Sequence, residues 1–246
     1  MEIRVIGIDC ATDPKKTGIA IGNYHDNNME VLETRIPANV EIMYQYIEKW
    51  IKGQESILIA IDAPLGWPND LGASLANHLA GENLSTIPNN LFRRETDRFV
   101  KSTIGKQPLD VGADRIARTA HAALRILNEL RERTGKKISL AWNNESFKGI
   151  KAVEVYPAAT LHTYGIKNTG YKGKKQIIAR KEIIESLREH VNLPENLDVI
   201  VENDDALDSV ICLLAAKNFI DGEIYYPENI ETGKKEGWIW FRKPNI

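Results

Sequence analysis

Four aspartates occupy positions from which a carboxylate can do chemistry. Asp9 ends the apolar stretch that begins at Ile3, Asp62 follows Ile57-Leu58-Ile59-Ala60-Ile61, and Asp205 and Asp208 stand three apart near the start of an apolar helical stretch. Residues i and i+3 of a helix share a face, so the last two can point at one place if their helix packs across the two strand ends. Carboxylates gathered in a low dielectric repel one another, and the usual remedy is one or two bound divalent cations. Oxygen-only ligation favours Mg2+ or Mn2+ over zinc. Two such ions about 4 Å apart polarise a phosphodiester, activate a water and stabilise the departing oxygen. The pattern therefore suggests nuclease chemistry, with Asp9, Asp62, Asp205 and Asp208 as ligands.

Each acid also has a plainer use. Asp9 can begin a turn, and Asp62 can end a strand before Ala63-Pro64. Asp204 and Asp205 suit the cap and dipole of a helix N-terminus. Asp208 lies a turn further in, near Leu207 and Val210, where capping has no use for it and a buried acid needs a partner. Glu154, within Val153-Glu154-Val155, either faces solvent from an alternating strand or joins the site as a fifth member and base.

Periodicity supplies the elements that must position these acids. Ile3 to Cys10 and Thr17 to Gly22 read as paired strands around an Asp13-Pro14 turn, and Met29 to Ile36 as a third. Val40 to Lys52 has helical spacing, and Ser56 to Ala63 returns to a buried strand. From Leu65 to about Asp110 glycines and prolines break any long period. Ala113 to Thr134 reads as a long helix stopped by Gly135, Ile150 to Tyr156 as a further strand, and Ile177 to His190 and Asp204 to Phe219 as helices. Trp238 and Trp240 alternate as in a C-terminal strand packed on the core. One α/β domain over residues 1–246, with a helical and loop insertion after the fourth strand at about 65–112, fits this order.

Composition narrows the class. The chain has 246 residues, 32 basic and 34 acidic, a net charge of −2 and 43% hydrophobic residues. That excludes collagen, coiled coil and wholesale disorder, and it leaves enough chain for a core without disulfides. Near-neutral charge argues against a general DNA-coating role while leaving room for a local basic patch. Cys10 and Cys212 sit in apolar runs far from any zinc or redox spacing and read as buried thiols of a reducing compartment. The N-terminus lacks signal- or transit-peptide features and no stretch is apolar enough to span a bilayer, so a cytoplasmic protein is expected.

Gly7-Ile8-Asp9, Thr17-Gly18-Ile19-Ala20, Ala60-Ile61-Asp62-Ala63-Pro64 and Asp205-Ala206-Leu207-Asp208 together resemble the ribonuclease H-like superfamily, in the branch of the RuvC-type resolvases. The closer resemblance is to the DUF429 family, described as RNase H-like nucleases. It extends to Asp13-Pro14, Arg94-Glu95-Thr96-Asp97 and Glu154-Val155-Tyr156-Pro157-Ala158-Ala159, running from residue 3 to about residue 216. The resemblance implies a mixed sheet with three antiparallel strands first, then parallel strands, flanked by helices. It also implies a hydrolase with Asp9 on the first strand, Asp62 on the fourth and the Asp205/Asp208 pair on the last helix as Mg2+ or Mn2+ ligands. The resolvases usually carry glutamate at the Asp62 position.

Nucleic acid is the expected partner. Arg93, Arg94, Arg98 and Arg115 can make bidentate phosphate contacts, although arginines beside Glu95 and Asp97 also make ordinary surface ion pairs. Lys172, Lys174 and Lys175, with Tyr171, can track a nucleic-acid backbone and stack a base, or form a solvated loop. His121 and His162 lack metal spacing. Two alternatives stay open: an actin-like or sugar-kinase-type phosphotransferase, with Thr12, Lys15, Lys16 and Thr17 on ATP phosphates, and a non-catalytic nucleic-acid-binding module.

Overall fold

The computed structural model describes residues 2–112 and 114–244. β1 (Ile3–Asp9) pairs antiparallel with β2 (Gly18–His25), and β2 with β3 (Asn28–Arg35). Asp26 and Asn27, both at positive φ (48° and 62°), form the tight turn whose twist matches these two strands. α1 (Val40–Ile51), capped by the Asn39 side chain, leads to β4 (Ser56–Asp62), which lies parallel to β1. Beyond β4 come α2 (Asn69–Leu75), α3 (Pro88–Phe92), α4 (Glu95–Ile104) and α5 (Asp114–Thr134). β5 (Ile138–Leu140) and β6 (Gly149–Glu154) complete a six-stranded mixed sheet in the order β3-β2-β1-β4-β6-β5, antiparallel first and parallel after. α6 (Pro157–Thr163), α7 (Ile177–Leu187), α8 (Asp198–Glu202), α9 (Asp204–Asp221) and α10 (Ile230–Glu236) follow.

The pleat decides which face each strand-end acid takes. Along β1, Ile3 and Val5 join the core built with α9, whereas Ile6 and Ile8 join the core built with α1 and α5. Along β4, Leu58 and Ala60 belong to the first set and Ile57, Ile59 and Ile61 to the second. Asp9 and Asp62 share the parity of the first set and are register partners at the carboxyl ends of adjacent parallel strands. Both therefore face α9.

α9 can meet them because glycines let its backbone rest on the sheet. A Cβ at Gly7 would lie 2.1 Å from the Ser209 carbonyl oxygen, and one at Gly18 2.0 Å from that of Asp205. The Gly7 and Gly18 motifs thus have a packing reason: they set the height at which α9 crosses the strands.

Several expectations are corrected. β5 was not legible, since three residues are too few to show a period. The insertion after the fourth strand is helix and loop as expected, with three short helices α2 to α4, whereas α7 stops at Leu187 rather than His190. Ala113, the expected start of α5, lies outside the described residues. Trp238 and Trp240 are buried, Trp240 with its ring 4.9 Å from that of Phe219, but their segment makes only isolated bridges and no strand. α9 is capped by Asn203, whose side chain accepts from the amides of Asp205 and Ala206. Capping therefore does not occupy the Asp205 side chain.

Candidate metal centre

Asp9, Asp62 and Asp208 converge. Each offers a carboxylate oxygen, and the three atoms lie within 4.8 Å of one another. Asp9 and Asp208 are buried and Asp62 is partly so. Burial, then Asp208 and Asp62, pushes the Asp9 carboxyl well above the usual range. Asp62 is pushed up to about 7 by burial and by Asp208. Asp208 is raised by burial against the pull of Lys172 and Tyr171. Acids in this condition bind protons or a cation, and the all-oxygen donor set suits a hard divalent ion.

Asp205 stands apart from the trio. It lies in the first turn of α9, half-buried, with its carboxyl raised to about 6 by burial and by its neighbour Asp204. The i, i+3 spacing puts it on the Asp208 side of the helix, yet one turn of rise leaves it outside the close group of oxygens. It borders the centre.

Glu154 belongs to a different cluster. Its register partner on β4 is Ile61, so the pleat turns it to the face opposite Asp62. Its Oε1 accepts from Arg94 Nη2 at 2.6 Å, and its Oε2 from Arg94 Nη1 at 2.7 Å and the Leu65 amide at 2.9 Å. With both oxygens engaged it is not a base in this arrangement. Burial raises its carboxyl while Arg94 opposes the shift.

Arg94 is likewise corrected from phosphate ligand to internal counterion. It is 1% exposed, and all five guanidinium donors are satisfied: Nε and one Nη2 hydrogen go to Asp97, two bonds go to Glu154 and one to the Glu236 carbonyl. The Glu236 carboxylate accepts from the first-turn amides of α2 and α4, at Asn69 and Glu95, both at 2.7 Å. Arg93 pairs with Asp110 at 2.7 Å, and Arg98 donates to main-chain carbonyls. Arg115 is exposed in the first turn of α5.

The 170–175 loop meets the centre, though not as expected. Tyr171 is buried, so it cannot stack a base, and its hydroxyl donates to Asp208 Oδ1 at 2.8 Å. Lys172 Nζ contacts Asp208 Oδ2. Partial burial works against the Lys172 charge, and the carboxylates around it, Asp208 foremost, outweigh that. Lys174 and Lys175 are exposed.

Arg180 is the residue sequence reasoning missed. Fully buried on α7, it donates to the carbonyls of Tyr171, Gly173, Val201 and Glu202, tying the loop to the approach of α9. An arginine in step with the apolar Ile183, Ile184 and Leu187 was the available signal.

A cleft of about 210 Å3 opens over the strand ends, lined by Asp9, Asp62, Leu109, Ile116, Tyr156 and the Arg94/Glu154 pair among others. Crevices beyond the carboxyl ends of parallel strands are where open α/β sheets bind ligands. Cys10 is pushed up to about 12 and Cys212 well above its ordinary value, mainly by burial, so neither thiol is a nucleophile. Thr17 is buried with its hydroxyl oxygen 3.3 Å from the Ala11 amide, which removes one phosphate contact from the kinase alternative.

Fold and site thus define a mixed-sheet α/β protein with a buried three-carboxylate centre at its strand ends. The chain belongs to the family described as Protein of unknown function (DUF429), whose profile matches residues 7–232. No curated protein matches it. A solved structure of the Ppx/GppA family member from Aquifex aeolicus aligns with 99% of this chain and 94% of its own at 11% identity. Its TM-score of 0.19 is too low to carry an argument. Among the described residues no helix is long and apolar enough to cross a membrane.

Proposed function

We propose that this protein is a ribonuclease H-like hydrolase of nucleic-acid phosphodiesters that works with Mg2+ or Mn2+ held by Asp9, Asp62 and Asp208. The observation that carries the reading is the approach of those three carboxylates to within 4.8 Å, two of them buried. Bound there, a divalent cation supplies Lewis-acid polarisation of a phosphoryl oxygen and acidifies attacking water. The chain's own groups do the rest. Tyr171 fixes one oxygen of Asp208. Asp205 borders the centre, where a carboxylate orients water or a second cation. Leu109 and Ile116 give the cleft an apolar wall. Lys174, Lys175 and Arg115, all exposed, draw a polyanion toward the opening.

The test offers single-stranded, duplex, hybrid and branched substrates with each ion. Wild type is expected to cut at least one, with Asp9→Asn and Asp208→Asn reduced by about 100-fold or more while still folded. A wild type that cuts none, no better than folded Asp9→Asn, overturns the hydrolase.

A further inference from the structure

Lys172 and Asp208 make an unequal pair: the ammonium side chain is 53% exposed and the carboxylate 0%. The exposed partner keeps much of its water and loses little on leaving, whereas the buried one must then take a proton or another cation. The backbone around Lys172 is held fast. Arg180 Nη1 donates to the carbonyls of both Tyr171 and Gly173 at 2.8 Å, and Tyr171 is anchored on Asp208 itself. Gly170 and Gly173, at φ of +72° and +92°, give the loop the shape that lets these bonds form. What remains free to move is the Lys172 side chain, which can rotate into solvent while the loop stays in place. One ammonium cannot balance three converging carboxylates, and a divalent ion at the same oxygens balances them better.

Resting on the metal reading above, we infer that Lys172 is a built-in counter-cation: it holds Asp208 in the ion-free protein and yields that oxygen to the divalent ion. Binding is then an exchange in which one ammonium leaves as one divalent ion enters. The displaced ammonium stays beside the centre, in reach of an anionic group arriving with substrate.

The inference is tested by titrating Mn2+ into ion-free protein by calorimetry, with thermal unfolding as a check on folding. In Lys172→Met the competitor is gone, and affinity should rise on the order of tenfold or more. Lys172→Arg, which keeps the charge, should stay within about threefold of wild type, as should Lys174→Met, whose side chain does not touch Asp208. Weaker or unchanged binding in a folded Lys172→Met overturns the exchange and makes Lys172 a structural support. If Lys172→Met does not fold, Lys172→Arg and Lys172→Gln decide, since only the neutral variant should bind more tightly. A wild type that binds no Mn2+ overturns the metal reading and the exchange with it, an outcome distinct from binding that is insensitive to Lys172.

Discussion

Two clusters of buried carboxylates lie along one cleft and are neutralised in opposite ways. Around Arg94, the acids Asp97 and Glu154 share a guanidinium whose every donor is used, and Glu236 takes its bonds from two helix starts. Around Asp208, the acids Asp9 and Asp62 have as cation, among the described residues, the half-exposed Lys172, and the carboxyls of the trio stay raised. The first arrangement is closed and rigid. It ties the insertion helices α2 and α4 to the C-terminal segment and shapes the cleft. The second has charge in reserve, which is the property of a site that takes a cation from solution.

The contrast can be broken most directly at Arg94. Arg94→Met leaves two buried carboxylates without a cation, and equilibrium unfolding in urea should show a loss of about 3–5 kcal/mol. Adding Glu154→Gln to that variant should recover part of it. Gly18→Ala drives a methyl into the Asp205 carbonyl and should cost about 2–3 kcal/mol, with weaker Mn2+ binding as α9 is lifted from the strands.

The pH dependence sharpens the difference. Asp62, raised from its ordinary 3.8 to about 7, holds its proton more tightly in the folded chain than in the unfolded one, and Asp205, raised to about 6, does the same. Ion-free stability should therefore be greatest below about pH 4 as far as these groups decide it, fall between about pH 4 and pH 7, and level off about one unit higher. A drop in the midpoint of roughly 5–10 °C between pH 5 and pH 7.5 is expected in thermal scans. Saturating Mn2+ should reverse the slope, because the ion binds the deprotonated acids.

Smaller effects follow. Asp9→Asn removes one repelling charge, so the ion-free protein at pH 7.5 should gain about 1 kcal/mol while calorimetry records loss of Mn2+ binding. Lys174→Met combined with Lys175→Met should only flatten the salt dependence of nucleic-acid binding, by about one to two units of slope.

Much of the fold is legible in the sequence because it rests on local periods. The apolar runs of β1 and β4 and the helical stripe of α1 name the central elements and their order. The acids Asp9, Asp62 and Asp208 stand out because each interrupts or follows an apolar run, and for Asp208 helix capping offers no use. What sequence alone could not decide is which acids face each other. Glu154 ends a strand as Asp62 does, and only the register opposite Ile61 turns it to the other face, toward Arg94. Tyr171 and Lys172 read as part of one basic loop, solvated or tracking a nucleic-acid backbone, until Arg180 ties that loop to the segment before α9. Periodicity is written residue by residue, but register and the partnering of buried charges depend on segments far apart in the chain, 60 residues for Arg94 and Glu154, and only their packing against one another sets both.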